Sequence, residues 1–324
     1  MAFLSLGKSG EKGMPIALVR GGDHDGEILS VFTEEDEKAK KDKKPSKREI
    51  ESINYAKDVK HLKPAQRVAL FNKLSEAKER GVSPESLTEN EEIRSLYRRI
   101  LSDHKEKDAK TIELPDDSTF NLIPNPDPEK RSVYYVAGAS GSGKSYIARG
   151  LAEGYKKLFP DRQIYLISKL TDDSTLDTMK IGKPLRIDVK TLIDNYPKIE
   201  EFQDCMVIFD DYDCFTGKEG KTVQQLIDDL SITGRHTNTT CLFLTHYITN
   251  YKKTALMLNE AMYYIIYPQS TSFSSLRYLL ASRVGMSKED ITELRKMGRW
   301  VCIYKNYPQF LVSQHIAKIL HQEK

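Results

Sequence analysis

The sequence is poor in cysteine, and its cysteines form no recognisable motif. Cys205, Cys214, Cys241 and Cys302 have neither CxxC spacing nor a neighbouring histidine pattern. Such a set indicates neither a disulfide framework nor a zinc motif. Three of the four lie in strand-like apolar runs, where cysteine usually packs as a small buried hydrophobe. The sequence therefore indicates a reducing, intracellular compartment.

Long apolar runs and an excess of charge of one sign are also absent. No run approaches the ~20 apolar residues that span a bilayer, and residues 1–8 turn polar too soon for a signal peptide. Lys and Arg number 50 against 47 Asp and Glu, a formal net charge of +3, so the composition does not by itself indicate nucleic-acid binding. With 324 residues, 39% of them hydrophobic, the chain can form one large or two modest globular domains.

One compact motif carries most of the chemistry. Residues 138–145 fit the pattern G-x-x-x-x-G-K-[ST], in which backbone N–H groups cradle phosphates, Lys144 reaches the β- and γ-phosphate oxygens and the Ser145 hydroxyl binds Mg²⁺. The run 133–136 predicts a buried parallel strand, and 145–155 predicts a helix whose N-terminus faces the phosphates. We therefore predict a nucleoside triphosphate site. Its predicted nucleotide-binding residues are Gly138, Ala139, Ser140, Gly141, Ser142, Gly143, Lys144, Ser145 and Tyr146.

A second motif complements the loop. Residues 205–211 form an apolar run that ends in two acids, the pattern of a Walker B strand. Asp210 is predicted to hold the Mg²⁺ shell through water, and Asp211 to orient and deprotonate the attacking water. The run alone also fits a buried strand entering a turn. Together with the upstream loop it predicts a hydrolytic site.

A third predicted strand, 240–245, adds two candidates. His246 follows its end, where a polar side chain lies near the γ-phosphate in this fold; we predict a sensor role, with a capping or core histidine as the alternative. Arg235 precedes the strand. It fits an arginine that stabilises the γ-phosphate charge in a neighbouring subunit, or an exposed arginine at a helix C-terminus. The residues alone favour neither reading of Arg235.

Strands and helices alternate from residue 132 onward, which predicts an α/β fold with a mostly parallel sheet flanked by helices. A strand lies between the two motifs and a second acid follows Asp210, as in P-loop NTPases of the additional-strand, catalytic-carboxylate type. The N/T-K-x-D motif of GTPases and the LSGGQ-type motif of ABC ATPases are missing. ATP is therefore the expected nucleotide.

The pattern divides the chain into an N-terminal region of mixed α+β structure, 1–120, and a P-loop ATPase domain, 121–324. In the N-terminal region it predicts a hairpin, a charged linker, two helices and a second hairpin, at residues 14–32, 33–48, 64–80, 88–104 and 111–123. The alternative interpretation of the linker segment is an arm that targets the nucleus or contacts DNA. In the ATPase domain it predicts a helix at 191–202, a hairpin at 300–313 and a short terminal helix.

Four motifs occur together and in this order, at residues 138–145, 207–211, 234–236 and 241–246. The combination resembles the genome-packaging ATPases of nucleocytoplasmic large DNA viruses, within the broader FtsK–HerA group, over roughly residues 120–315. This chain has His246 where many members carry Gln. It also has Asp where most translocases carry the longer Glu, at Asp211.

The resemblance implies roles for particular residues. Lys144 and Ser145 would contact phosphate and Mg²⁺, and Asp210 the metal. Asp211 would activate water, Arg235 would act in trans on a neighbouring subunit's site, and His246 would be the sensor. The predicted catalytic residues are thus Lys144, Asp211, Arg235 and His246.

The resemblance also implies a motor that threads double-stranded DNA through a homo-oligomeric ring, a pentamer or hexamer, into a preformed capsid. Capsid proteins would be further partners. The protein would act in the host cytoplasm or a viral factory and would associate with the virion. Candidate DNA contacts are Lys218, Lys221, Lys252 and Lys253. Two alternatives stay open: another nucleic-acid-dependent ATPase, such as a helicase or accessory factor, and a nucleotide-controlled assembly scaffold.

Overall fold

The computed structural model describes residues 2–7, 13–33, 110–250 and 253–320, together with residues 36, 63, 72 and 76. The chain divides into two compact units, a larger one that holds Leu4–Val31 and Thr111–Lys324 and a smaller one that holds mainly Phe32–Lys110. The predicted linker and the two predicted N-terminal helices lie outside the described residues, apart from single positions. The boundary near residue 120 stays a prediction.

The regular elements are numbered in chain order. The strands are β1 (Ala2–Gly7), β2 (Met14–Arg20), β3 (Ile28–Thr33), β4 (Thr111–Glu113), β5 (Thr119–Leu122), β6 (Val133–Ala137), β7 (Ile164–Ser168), β8 (Leu185–Arg186), β9 (Met206–Asp210), β10 (Thr240–Thr245), β11 (Tyr263–Ile266), β12 (Val301–Tyr304), β13 (Phe310–Ser313) and β14 (Ile316–Ile319). The helices are α1 (Lys144–Leu158), α2 (Val189–Asp194), α3 (Gly217–Thr233), α4 (Ala255–Glu260), α5 (Phe273–Arg283) and α6 (Lys288–Leu294). No helix in these described ranges combines the length and apolar character that crossing a membrane requires.

A ten-stranded sheet forms the centre of the larger unit, in the order β4-β14-β13-β12-β11-β6-β10-β9-β7-β8. From β11 to β8 all neighbours are parallel, and from β11 to β4 all are antiparallel. β10 lies between β6 and β9, with Thr245 beside Ala137 and Phe243 beside Phe209. One strand thus separates the strand that enters the phosphate loop from the strand that ends in Asp210. This order confirms the predicted α/β fold of the additional-strand type.

The central strands are buried on both faces, which explains their unbroken apolar runs. All five residues of β6 are buried. Val133, Tyr135 and Ala137 join one core cluster, which also contains residues of α3 to α6. Tyr134 and Val136 join the other, which contains residues of α1 and of the small N-terminal sheet. Charged groups can therefore enter the central strands only at their ends.

A smaller sheet has the order β1-β3-β2-β5. Antiparallel pairing of β2 with β3 confirms the hairpin predicted at 14–32. The hairpin predicted at 111–123 is wrong, because its two strands join different sheets. β4 pairs with β14 at the edge of the large sheet, whereas β5 pairs with β2. Each strand thus finds a partner far away in sequence, which a local turn signal cannot reveal.

Two further expectations for the ATPase domain need correction. Pro197 interrupts the helix predicted at 191–202, since it lacks an N–H and disfavours helical backbone before it; the structure has α2 and then a short 3₁₀ turn, Ile199–Phe202. The predicted terminal helix is the strand β14, in which burial alternates with period two. The hairpin predicted at 300–313 is confirmed by β12 and β13.

Candidate functional site

The phosphate loop connects β6 to α1, and two of its glycines have steric reasons to be there. Gly143 has a φ of 111° at the N-cap of α1, a conformation that side-chain-bearing residues rarely adopt. A Cβ added to Gly138 would lie 2.6 Å from Tyr267 Cδ2 and 2.7 Å from Ser142 Oγ. The first turn of α1 carries no acidic residue, so the positive end of the helix dipole faces the loop unopposed. This arrangement fits the binding of a polyphosphate.

Lys144 is buried inside this loop. Its Nζ donates hydrogen bonds to Gly138 O at 3.1 Å and Ala139 O at 3.4 Å, and it lies 3.6 Å from Asp211 Oδ1. Ser145 beside it is partly buried, whereas the Tyr146 side chain is 74% exposed. The ammonium group is therefore held between the loop and the carboxylate at the end of β9.

Asp210 ends β9 and is almost fully buried. The Ser168 hydroxyl, at the end of the neighbouring strand β7, donates to Asp210 Oδ2 at 2.9 Å. Burial raises the pKa of Asp210 to about 6, and the adjacent Asp211 carboxylate adds to the rise. A buried carboxylate next to a second one gains from a nearby cation. Asp210 and the Ser145 hydroxyl are oxygen donors of the kind that Mg²⁺ prefers, so the donor set fits that metal.

Asp211 and His246 face each other across the ends of β9 and β10. Asp211 has a φ of 44° and a ψ of 42°, a left-handed conformation that Asp and Asn tolerate better than most residues. Its Oδ1 lies 3.6 Å from His246 Nε2, the same distance as from Lys144 Nζ. His246 is thus a neighbour of the predicted catalytic carboxylate and is not a core residue.

Arg235 does not join this group within one chain. It lies exposed in the connection between α3 and β10, at the amino ends of the parallel strands. The phosphate loop lies at their carboxyl ends, and the six residues of β10 separate the two edges by about 17 Å. A direct contact of Arg235 with the nucleotide in its own chain is therefore excluded.

Three residues that the sequence patterns did not single out contact the site. Ser168 and Asp213 are polar residues at or just after strand ends, the signal that identified His246. Arg299 precedes β12, and its guanidinium donates to Ser142 O at 2.9 Å and to Gly141 O at 3.2 Å. It lies 157 residues from Ser142, so no local motif could reveal it.

Three of the four candidate DNA-contacting lysines lie among the described residues. Lys218 and Lys221, at the start of α3, and Lys253, before α4, are exposed. Lys252 lies outside the described residues. All three described lysines follow the carboxyl ends of β9 or β10, so they lie at the same edge of the sheet as the phosphate loop. This placement is compatible with DNA contacts but does not require them.

The loop and the strand order define the class. A glycine-rich loop connects β6 to α1, and the two acids Asp210 and Asp211 stand at the end of β9. One strand, β10, lies between β6 and β9. The chain is therefore a P-loop NTPase of the additional-strand type.

Comparison with known proteins places the chain in a family. No protein-family model matches it. It is 30% identical over 224 residues to the uncharacterized protein V3 of the Sputnik virophage, an alignment that covers 68% of this chain and 89% of V3. The chain belongs to the same family as V3.

Solved structures show weaker likenesses. B204, the DNA-packaging ATPase from Sulfolobus turreted icosahedral virus, matches with a TM-score of 0.42 and 15% identity, over 60% of this chain and 100% of B204. TcpA, the conjugation coupling protein of pCW3, matches with a TM-score of 0.41 and 15% identity, over 63% of this chain and 65% of TcpA. The class assignment above rests on the loop and the strand order.

The raised pKa of Asp210 gives the first prediction. The protonated carboxyl is favoured in the folded chain, so its contribution to stability is present below the ordinary pKa of 3.8 and is lost as the pH rises through about 6. Between about pH 4 and pH 7 we expect the nucleotide-free wild type to lose on the order of 3 kcal/mol of unfolding free energy relative to Asp210→Asn. Urea unfolding at several pH values measures it. If the unfolding free energies of wild type and Asp210→Asn change equally with pH, the prediction is refuted. Asp161→Asn, which changes an exposed carboxylate, is the control.

Arg299 gives the second prediction. Arg299→Ala removes two charge-assisted hydrogen bonds that brace the loop, so we expect nucleotide affinity to fall about threefold to tenfold. Equilibrium titration with a fluorescent ATP analogue measures it. Arg277→Ala, which removes an exposed arginine on α5, should leave affinity unchanged. Equal affinities for wild type and Arg299→Ala would show that the loop holds its shape without this arginine.

Proposed function

We propose that this chain is an ATP-hydrolysing motor that translocates double-stranded DNA and packages a viral genome into a capsid. The observation that carries the proposal is the convergence of Lys144, Asp210, Asp211 and His246 at one edge of the sheet, around a loop shaped for phosphates. The resemblance of the motif set to genome-packaging ATPases supports the DNA substrate. Membership in a family with a virophage protein supports the viral setting.

The proposed chemistry assigns each side chain a role that its position allows. Lys144 binds the β- and γ-phosphate oxygens, and the helix N-terminus behind it adds favourable potential. Ser145 and Asp210 hold Mg²⁺, which supplies charge neutralisation on the phosphates when bound. Asp211, partly buried beside Lys144, orients the attacking water and accepts its proton. His246 responds to the γ-phosphate from the end of β10.

The proposed assembly is a homo-oligomeric ring, a pentamer or hexamer. Because Arg235 is exposed and far from its own phosphate loop, a role in hydrolysis requires that it reach the nucleotide of a neighbouring subunit. DNA would pass through the ring, with lysines contacting its phosphates without reading the sequence. Capsid proteins would be further partners, and the motor would act inside the host cell, in the cytoplasm or a viral factory.

Steady-state ATP hydrolysis with and without double-stranded DNA, at low and moderate salt, tests the proposal. A motor should be stimulated by DNA, and salt should weaken the stimulation because cation release drives phosphate contacts. Rates that do not change across a DNA titration at low salt would contradict translocation and favour a nucleotide-controlled scaffold. Separation of the strands of a tailed duplex would favour a helicase.

Two variants separate binding from hydrolysis. Lys144→Ala should lose nucleotide affinity, whereas Asp211→Asn should keep affinity and lose turnover by about 10²-fold or more. Asn tolerates left-handed backbone as Asp does, so the second change isolates the carboxylate from the fold. Titration with an ATP analogue and phosphate release measure the two quantities. Asp161→Asn is the matched control, and slow turnover that Asp211→Asn leaves untouched would contradict the assigned role.

Mixing experiments test the role of Arg235. Arg235→Ala should abolish turnover, and adding Lys144→Ala subunits should restore part of it, since each subunit supplies what the other lacks. A Lys144→Ala/Arg235→Ala double variant should give no rescue. If the first mixture also stays inactive, Arg235 has no role in a neighbouring subunit's site.

A further inference from the structure

Asp213 has no role in the proposed function so far, although its carboxylate contacts both the backbone and the ring of His246. It lies in the 3₁₀ turn Tyr212–Cys214 that follows β9, and its side chain is only 4% exposed. Its Oδ2 accepts a hydrogen bond from the His246 backbone N–H at 3.1 Å and lies within hydrogen-bonding distance of His246 Nδ1, at 3.3 Å. A buried carboxylate is thus committed to the backbone and to the ring of a single histidine.

This pairing determines which ring nitrogen of His246 carries the proton. A carboxylate oxygen can only accept, so the partner nitrogen must donate. In a neutral imidazole the other nitrogen is then an acceptor. The hydrogen bond to Asp213 therefore places the proton on Nδ1 and leaves a lone pair on Nε2.

A second acceptor lies near Nε2. Asp211 Oδ1 lies 3.6 Å from Nε2, and it is buried without a hydrogen-bond partner among the described residues. Two acceptors cannot bond to each other, and a buried acceptor without a donor is costly. One molecule with two donor hydrogens, such as water, satisfies both.

We propose that Asp213 is a positioning residue, which holds His246 in the Nδ1–H form so that Nε2 and Asp211 Oδ1 together receive the two hydrogens of the attacking water. The inference rests on the proposed hydrolysis of ATP. In that step the water oxygen bonds to the γ-phosphorus while the bond from phosphorus to the bridging oxygen breaks. One water proton passes to Asp211 Oδ1, and the other stays on the released phosphate, held by Nε2.

The arrangement compensates for a short side chain. Asp211 has one methylene fewer than a glutamate, so its carboxylate alone reaches less far toward a γ-phosphate. A second acceptor on the end of β10 fixes the water from another side, which lowers the entropy cost of orienting it. His246 then contributes directly to water orientation, beyond a sensor role.

The test combines a spectroscopic readout with kinetics on the full chain. In protein labelled with ¹⁵N-histidine, the ring nitrogen shifts of His246 should report Nδ1–H, with His246→Ala used to assign the signal. In Asp213→Asn the amide can donate to Nδ1, so the proton should move to Nε2. The kcat for ATP should fall by about 10²-fold, while nucleotide affinity stays within about twofold of wild type.

Two further variants make the result specific. Asp213→Asn should cause no further fall in kcat in a His246→Ala background, because the two residues act as one unit. Cys214→Ser is the control: Cys214 lies beside Asp213 and His246, with ligand atoms of the three within 4.8 Å, but it has no part in the proposed pairing. If Cys214→Ser reproduces the loss, a metal-binding cluster accounts for it and the positioning role is overturned.

Failure of the inference and failure of the proposed function can be told apart. A chain that hydrolyses ATP but carries the His246 proton on Nε2 contradicts the inference alone. The inference alone is also contradicted if Asp213→Asn lowers kcat as much in the His246→Ala background as in the wild type. A chain with the proton on Nδ1 that hydrolyses no ATP under any condition contradicts the proposed function.

Discussion

The parallel pairing of β10 between β6 and β9 determines where the polar residues of the site can meet. It brings the ends of three strands to one edge, so the loop after Ala137, the acids after Phe209 and the residue after Thr245 meet there. The strands themselves are buried on both faces and tolerate no charge. Polar chemistry can therefore gather only where these strands stop, and in this chain it gathers at the carboxyl edge.

The electrostatics of that edge follow from burial. Asp210 and Asp211 are consecutive acids in a partly dehydrated site, and Lys144 forms an ion pair with Asp211. Desolvation and mutual repulsion leave the pair short of positive charge, which is visible in the raised pKa of Asp210. A divalent cation bound there would offset this imbalance. Arg299 contributes differently, since its hydrogen bonds go to loop carbonyls and brace the backbone.

The position of Arg235 connects the fold to the proposed assembly. An arginine at the amino edge of the sheet cannot serve the nucleotide at the carboxyl edge of the same subunit. In a ring of identical subunits, one subunit's amino edge can approach its neighbour's carboxyl edge, so a single chain can present both halves of a composite site.

Sequence patterns alone predicted the phosphate loop, the acidic strand end and the class of sheet. Each depends on contiguous residues whose spacing has a direct geometric meaning. Sequence patterns failed where partners are distant: β4 and β5 joined different sheets, and residues 316–319 form a strand between β13 and β4 instead of a helix. The same limit applies within the site. His246 could be predicted from its place at a strand end, but its bond to Asp213 joins residues 33 apart and that of Arg299 spans 157. Such pairs form only in the folded chain, because they depend on which strand ends and turns lie next to each other.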